Sequence, residues 1–190
     1  GIYWYHPHLR DDYAQEMGLY GNYLVEPSDP NYWSPVNEEV PIFLDDILIN
    51  NGKPVAFNKS AADYALMGRF GNVMLVNGET EYTRSFRRGE VVRFYITNAA
   101  NTRVFNFSIP GAKMKLVGAD AGKYERETFV DNVIISPSER EIVEVIFDHE
   151  GTYKLIHTTP ARTYTLGTIE ISAEKAAPLY AKEWNTLRTN

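Results

Sequence analysis

Apolar and polar positions alternate over short runs along most of the chain, with the two-residue period of β-strands. Val92, Phe94 and Ile96 make one apolar face against Arg93, Tyr95 and Thr97, and Val143, Val145 and Phe147 do the same against Glu144 and Asp148. This alternation predicts a sheet covered on one side. The run Val40–Ile49 reads instead as a largely buried strand ending at the turn Asn50-Asn51-Gly52. Further turn signals follow at Val76-Asn77-Gly78, Arg88-Gly89-Glu90, Asp120-Ala121-Gly122 and Ser136-Pro137-Ser138. Many short strands punctuated in this way predict an all-β antiparallel sandwich or barrel. Only Ala173–Arg188 has helical spacing, with Leu179, Trp184 and Leu187 as candidate anchors. Pro178 interrupts it, so a short helix within a linker is expected there.

The pattern also divides the chain. Residues 27–39 carry three prolines among serine, asparagine and acidic residues, the composition of a linker. Before it, a strand from Gly1, a polar turn-like run from Arg10 to Glu16 and a returning strand Met17–Glu26 make a hairpin over 1–26, detached from a main domain over 40–172. Residues 173–190 read as a second linker. An internal repeat supports this division. Gly151–Thr158 lies on Gly1–His8 at a displacement of 150 positions, and Leu166–Ile171 lies on Tyr20–Val25 at a displacement of 146. Each copy reads as the closing strand pair of a β-domain, and the second has lost four residues from its turn.

Composition narrows the function. Of 190 residues, 44% are apolar and 23% charged, which suits a globular protein with a real core. A net charge of −6 without a basic block gives nucleic-acid binding no electrostatic support. No apolar run approaches the length that crosses a bilayer, and no secretory leader pattern opens the chain, so no membrane partner is expected. Cysteine is absent, which excludes disulfides and any copper site needing a cysteine sulfur within this chain.

Candidate chemistry gathers at the start, where His6 and His8, two of the four histidines, follow Ile2-Tyr3-Trp4-Tyr5. Residues i and i+2 of a strand leave the same face, so the spacing points both imidazoles one way, as metal ligands require. Pro7 between them suits the end of a strand. Two solvated histidines at a strand end are the alternative. Asp11, Asp12 and Glu16 lie close downstream, as either outer support and proton donors or a solvated turn. His149 falls at an exposed turn, whereas His157 shares a strand face with Tyr153 and Leu155 and reads as a partnered core or interface histidine.

The segments Gly1–His8, Met17–Gly21, Met67–Gly78, Asp120-Ala121-Gly122 and Asp131–Arg140 together resemble the multicopper oxidases of the laccase kind. The His-x-His after Tyr-Trp-Tyr is the most specific piece, and Ser136-Pro137-Ser138-Glu139-Arg140 supports it. The resemblance spans residues 1 to about 172 and implies a cupredoxin-like Greek-key β-sandwich, preceded by the end of a first cupredoxin domain. It implies that His6 and His8 each serve one copper of a type 3 pair, and that the remaining ligands lie in parts of the first and third domains outside this sequence. It assigns His149 and His157 no copper. It implies a parent enzyme that couples one-electron oxidation of a reducing small molecule or metal ion to reduction of dioxygen to water, and that is extracytoplasmic, either periplasmic or secreted. This chain alone is expected to be inactive and mainly architectural. Two other classes stand beside that reading: a copper-free structural protein on the same fold, and a binding module that presents Trp4, Tyr5, Tyr20 and Tyr23 to a sugar or partner.

Overall fold

In the computed structural model, which describes residues 1–57 and 68–190, the chain opens on a hairpin. Strand β1 (Ile2–Tyr5) leads through helix α1 (Asp11–Glu16) to β2 (Gly21–Leu24), paired antiparallel with β1. Strand β3 (Glu38–Ile47) then begins the sandwich and is followed by a small hairpin, β4 (Ile49–Asn50) with β5 (Lys53–Pro54). Asn51 and Gly52 between them both have positive φ, 49° and 73°, which the tight two-residue turn requires.

The rest of the chain alternates between two layers. Strands β6 (Val73–Val76), β8 (Val91–Asn98), β10 (Lys113–Ala119), β11 (Gly122–Val130) and β13 (Arg140–Ile146) join β3 in one sheet, in the order β11–β10–β13–β8–β3–β6. Strands β7 (Tyr82–Arg88), β9 (Phe105–Ser108), β12 (Val133–Ile135), β14 (Gly151–Thr158) and β15 (Thr163–Lys175) make the other, in the order β12–β9–β14–β15–β7. Pairing is antiparallel except for β3 with β8 and β7 with β15. The inner faces supply one core, with Phe94, Val143 and Val145 from the first sheet meeting Phe107, Leu155 and Ile169 from the second. This is the cupredoxin-like β-sandwich that the alternation and the resemblance led us to expect.

One sheet face differs from expectation. All of β8, from Val91 to Asn98, is buried, so this sheet is covered on both sides. Trp33 of the 27–39 segment packs with Ile2, Tyr95, Val117 and Ile142 on the outer face. Trp184 of helix α2 (Ala181–Trp184) covers Val91 and Ile146. The polar residues that suggested solvent bond to one another instead. Glu144 accepts from Arg93 at 2.7 Å, and the Lys115 ammonium is ion-paired at 3.2 Å with each of Glu144 and Glu127.

Three local expectations are corrected. The Arg10–Glu16 run holds the helix α1 rather than a turn, and the returning strand is confined to Gly21–Leu24. The tail stays in strand through Lys175, beside Arg88 of β7, because ladder pairing outweighs a helical spacing that Pro178 had already broken. Of its three proposed anchors only Trp184 is buried, at 2% exposure, against 60% for Leu179 and 46% for Leu187. The hairpin shares no ladder with the main sheets, yet it is docked rather than detached. The Ile2 amide donates to the Asp120 carbonyl at 2.8 Å, Thr97 Oγ1 donates to Asn22 Oδ1 at 2.7 Å, and Ile2 is wholly buried. That side chain alone contributes about 1.5–3 kcal/mol to the contact.

The register bears out the repeat. Tyr5 stands opposite Gly21 in the hairpin, and Leu155 stands opposite Gly167 in β14–β15, the pairing that displacements of 150 and 146 require. The connecting segment is anchored unevenly. Glu26–Asn31 is exposed, whereas Arg93 donates to the Ser34 carbonyl, the Asn37 amide donates to the Val91 carbonyl and the Val91 amide donates to Asn37 Oδ1. A protease of broad specificity is therefore expected to nick 26–30 first and to spare 32–39. First cuts within 32–39 would show that this part is not seated on the sheet.

Candidate metal centre

Strand β1 ends at Tyr5, so His6 and His8 follow the strand rather than lie within it. Their rings nevertheless share a side, with centroids 4.8 Å apart and planes inclined by 27°. Trp4, two residues earlier, stacks on His6 at 4.4 Å and 23°. The strand alternation thus carries past its last ladder pair to give a pile of three rings, Trp4, His6 and His8. His6 is half-buried and His8 exposed, and the buried Nδ1 of His6 has no hydrogen-bond partner among the described residues.

The pile rests on the sandwich. Tyr20 meets Trp4 edge-on at 6.3 Å and Phe43 at 4.7 Å, and its hydroxyl donates to Asp45 Oδ2 at 2.7 Å. Burial pushes the Asp45 carboxyl up to about 7, although the bonds from Tyr20 and the Asp46 amide favour its charged form. Burial raises the Tyr20 hydroxyl too, with Asp45 adding to the rise. A carboxyl raised in this way keeps a proton in the folded state that the unfolded chain releases, so stability falls as pH climbs from about 4 to about 7. Asp45→Asn is expected to remove up to about 1.4 kcal/mol per pH unit of that slope. Glu141, also pushed up to about 7 by burial, retains its share. Denaturant unfolding across this range checks it, and an unchanged slope would contradict a raised Asp45.

Helix α1 follows the histidines and is bolted down. Glu16 pairs with Arg69 at 2.9 Å, both buried, and Gln15 Nε2 donates to the Ala99 carbonyl at 2.6 Å. Asn101 Nδ2 reaches Glu16 Oε2 at 3.2 Å and the Asp12 carbonyl at 2.8 Å. Glu16 is therefore an anchor, neither a solvated turn residue nor a free acid for the histidines. Asp12 bonds to Arg10 at 3.1 Å, and the Asp11 side chain lies outside the described residues, as does Met67. Asp46, which accepts from the Gly71 amide and Arg103 Nε at 2.6 Å each, was not singled out from sequence. Its signal was available, since Asp45-Asp46 interrupts an otherwise apolar buried run.

The other histidines behave as expected. His149 is exposed. His157 is 2% exposed, accepts the Asn106 N–H at Nδ1 at 3.0 Å and stacks on Tyr164 at 5.4 Å, with burial lowering its pKa.

Two imidazoles side by side, on one side of the strand end, fit copper, for which imidazole is a suitable donor. They do not close a site, which takes three or four protein ligands by analogy with other metals. Among the described residues no group of three or more histidine, cysteine, aspartate or glutamate side chains is placed to hold an ion.

Comparison with known proteins settles the lineage. The multicopper oxidase family matches residues 7–174. The chain belongs to that family. It is 29% identical over 168 residues to a laccase of Bacillus subtilis, covering 79% of this chain and 32% of the relative. It is 25% identical to copper resistance protein A of Escherichia coli, covering 89% and 34%. A multicopper oxidase structure from Campylobacter jejuni, described as a metallo-oxidase, superposes with a TM-score of 0.72 at 26% identity, covering 94% of this chain and 39% of that one. The chain thus spans about a third of the length of the curated relatives it matches.

Proposed function

We propose that the chain is the central part of a laccase-like multicopper oxidase. In this reading residues 1–26 are the closing hairpin of a first cupredoxin domain, 27–39 a linker, 40–172 a second domain without copper of its own, and 173–190 a linker toward a third domain. The observation that carries it is the stacked His6–His8 pair, poised at a strand end in a chain matched to this family from residue 7 to 174.

His6 and His8 hold one copper each of a type 3 pair, and the first and third domains supply the other ligands. Bound copper contributes one-electron redox chemistry, through which four single-electron oxidations of phenols or metal ions balance reduction of one dioxygen, with four protons, to two waters. The protein's own task is placement. The sandwich holds the hairpin through Ile2, Asn22 and α1, so that the imidazoles keep a fixed position while partner domains converge on them. The isolated chain, without cysteine and with two candidate ligands, is inactive. The parent works outside the cytoplasm, in a periplasm or secreted; no helix among the described residues is long and apolar enough to cross a membrane. A copper-free interaction module is not favoured, given relatives named for laccase activity and copper resistance.

Counting copper in the loaded parent tests this. His6→Ala and His8→Ala are expected to lose metal, and full copper in both would refute the assignment.

A further inference from the structure

Imidazoles that bind metals are ordinarily oriented by a hydrogen bond to the second ring nitrogen. His6 lacks such a partner at its buried Nδ1 among the described residues. What lies against the ring is the flat face of Trp4, at 4.4 Å and 23°. Trp4 is itself placed by the edge of Tyr20, whose ring is backed by Phe43. The far end of Tyr20 is tied by its hydroxyl to Asp45 at 2.7 Å. Asp45 is 3% exposed, and its other oxygen takes the Asp46 amide at 2.7 Å, so the carboxylate is fixed at both oxygens. A continuous series of contacts therefore joins β3 of the sandwich to the ring of His6, across the boundary between hairpin and main domain.

We propose that Trp4 is the positioning residue for His6, and that Tyr20 and Asp45 hold Trp4 in place. The sandwich thereby sets the angle of an imidazole it does not carry, through ring stacking where a hydrogen bond would usually serve. The proposal rests on the metal reading of His6 and His8 above. It predicts that Trp4, although it presents no donor to the metal, controls how well copper is kept.

Two measurements test it. In the metal-free chain, the His6 ring protons feel the ring current of Trp4 as well as that of His8, so Trp4→Leu is expected to move their NMR resonances toward the positions of a free imidazole, with the His8 contribution remaining. Tyr20→Phe, which keeps the ring and loses the hydroxyl, is expected to move them part of the way. Thr97→Val removes a different tie between hairpin and sandwich, the bond to Asn22, and is expected to leave them in place. In the copper-loaded parent, competition with a chelator is expected to show copper held about 10- to 100-fold less tightly in Trp4→Leu, the range for losing an orienting partner, with most of it restored in Trp4→Phe. If Trp4→Leu does not fold, Tyr20→Phe decides by the same two readouts, at a smaller size. Unmoved resonances with wild-type copper retention overturn the proposal. So does an equal displacement in Thr97→Val, which would reduce the effect to general loosening of the hairpin. Loss of copper in His6→Ala with full retention in Trp4→Leu also removes the positioning role and leaves the metal reading intact. Full copper in His6→Ala removes the metal reading, and the positioning role with it.

Discussion

Replacing His6 or His8 by alanine in the copper-loaded parent is expected to abolish dioxygen reduction while leaving the first electron transfer from substrate in place. The two steps separate because they use different ligands. Under the proposed assignment, a blue copper centre, which needs a cysteine thiolate that this chain does not contain, belongs to another domain and is expected to survive the exchange. The dioxygen-reducing cluster loses a directional nitrogen that water does not match in softness. An outer hydrogen bond is worth about 10- to 100-fold in metal affinity, so a lost ligand is expected to weaken that copper by at least about 100-fold. Blue absorbance should bleach on anaerobic addition of substrate and stay bleached when air is admitted, with oxygen uptake near zero. His149→Ala and His157→Ala should retain their copper. The latter leaves the Asn106 N–H without its acceptor and is expected to lose about 1–3 kcal/mol of stability. Normal oxygen uptake in the His6 and His8 variants would return both residues to solvated positions at a strand end.

How far the sequence carried the structure depends on whether each feature is held by near or distant partners. The period-2 face of Val92, Phe94 and Ile96 is a local signal, and those residues sit in the core as the pattern requires. The opposite face of the same strand was misread because Arg93, Tyr95 and Thr97 look like solvent-facing residues. Their partners lie far along the chain: Glu144 for Arg93, Glu39 for Tyr95 and Asn22 for Thr97. Helix α1 is six residues long, too short for a helical period to register, and its Glu16 finds its cation 53 positions away at Arg69. The histidine pair was legible because its geometry follows from i, i+2 spacing alone. Its support was not, because the route from Trp4 through Tyr20 to Asp45 exists only once hairpin and sandwich are packed together.

Glu144→Ala is expected to be the most destabilising single change on the outer face of the main sheet, at about 3–5 kcal/mol. The carboxylate receives Arg93 Nε at 3.1 Å and Nη2 at 2.7 Å on one oxygen, and Lys115 Nζ lies 3.2 Å from the other. All three side chains are at most 2% exposed, so water cannot replace the lost anion. Two buried cations are left with Glu127, which is also buried, and with Glu39, which is half-exposed and binds Arg93 from the rim. For a chain of this size the loss corresponds to a fall of roughly 6–20 °C in Tm. The damage should also spread, because Arg93 holds the Ser34 carbonyl and Trp184 Nε1 donates to the Glu144 carbonyl at 3.3 Å, so both segments that cover this face depend on the same strand pair. Residues 32–39, which the wild type is expected to spare, are expected to become a primary site of proteolysis. The exposed pair Lys113–Asp148, between the start of β10 and the segment just after β13, supplies the contrast: Asp148→Ala should stay within about 1 kcal/mol, since solvent screens it. Combining Glu144→Gln with Lys115→Met removes a cation together with the anion and should recover a measurable part of the loss, as a double-mutant cycle would quantify. A Glu144→Ala chain that melts within a degree or two of the wild type would mean that the cations reach water, and that Trp33 and Trp184 do not seal this face.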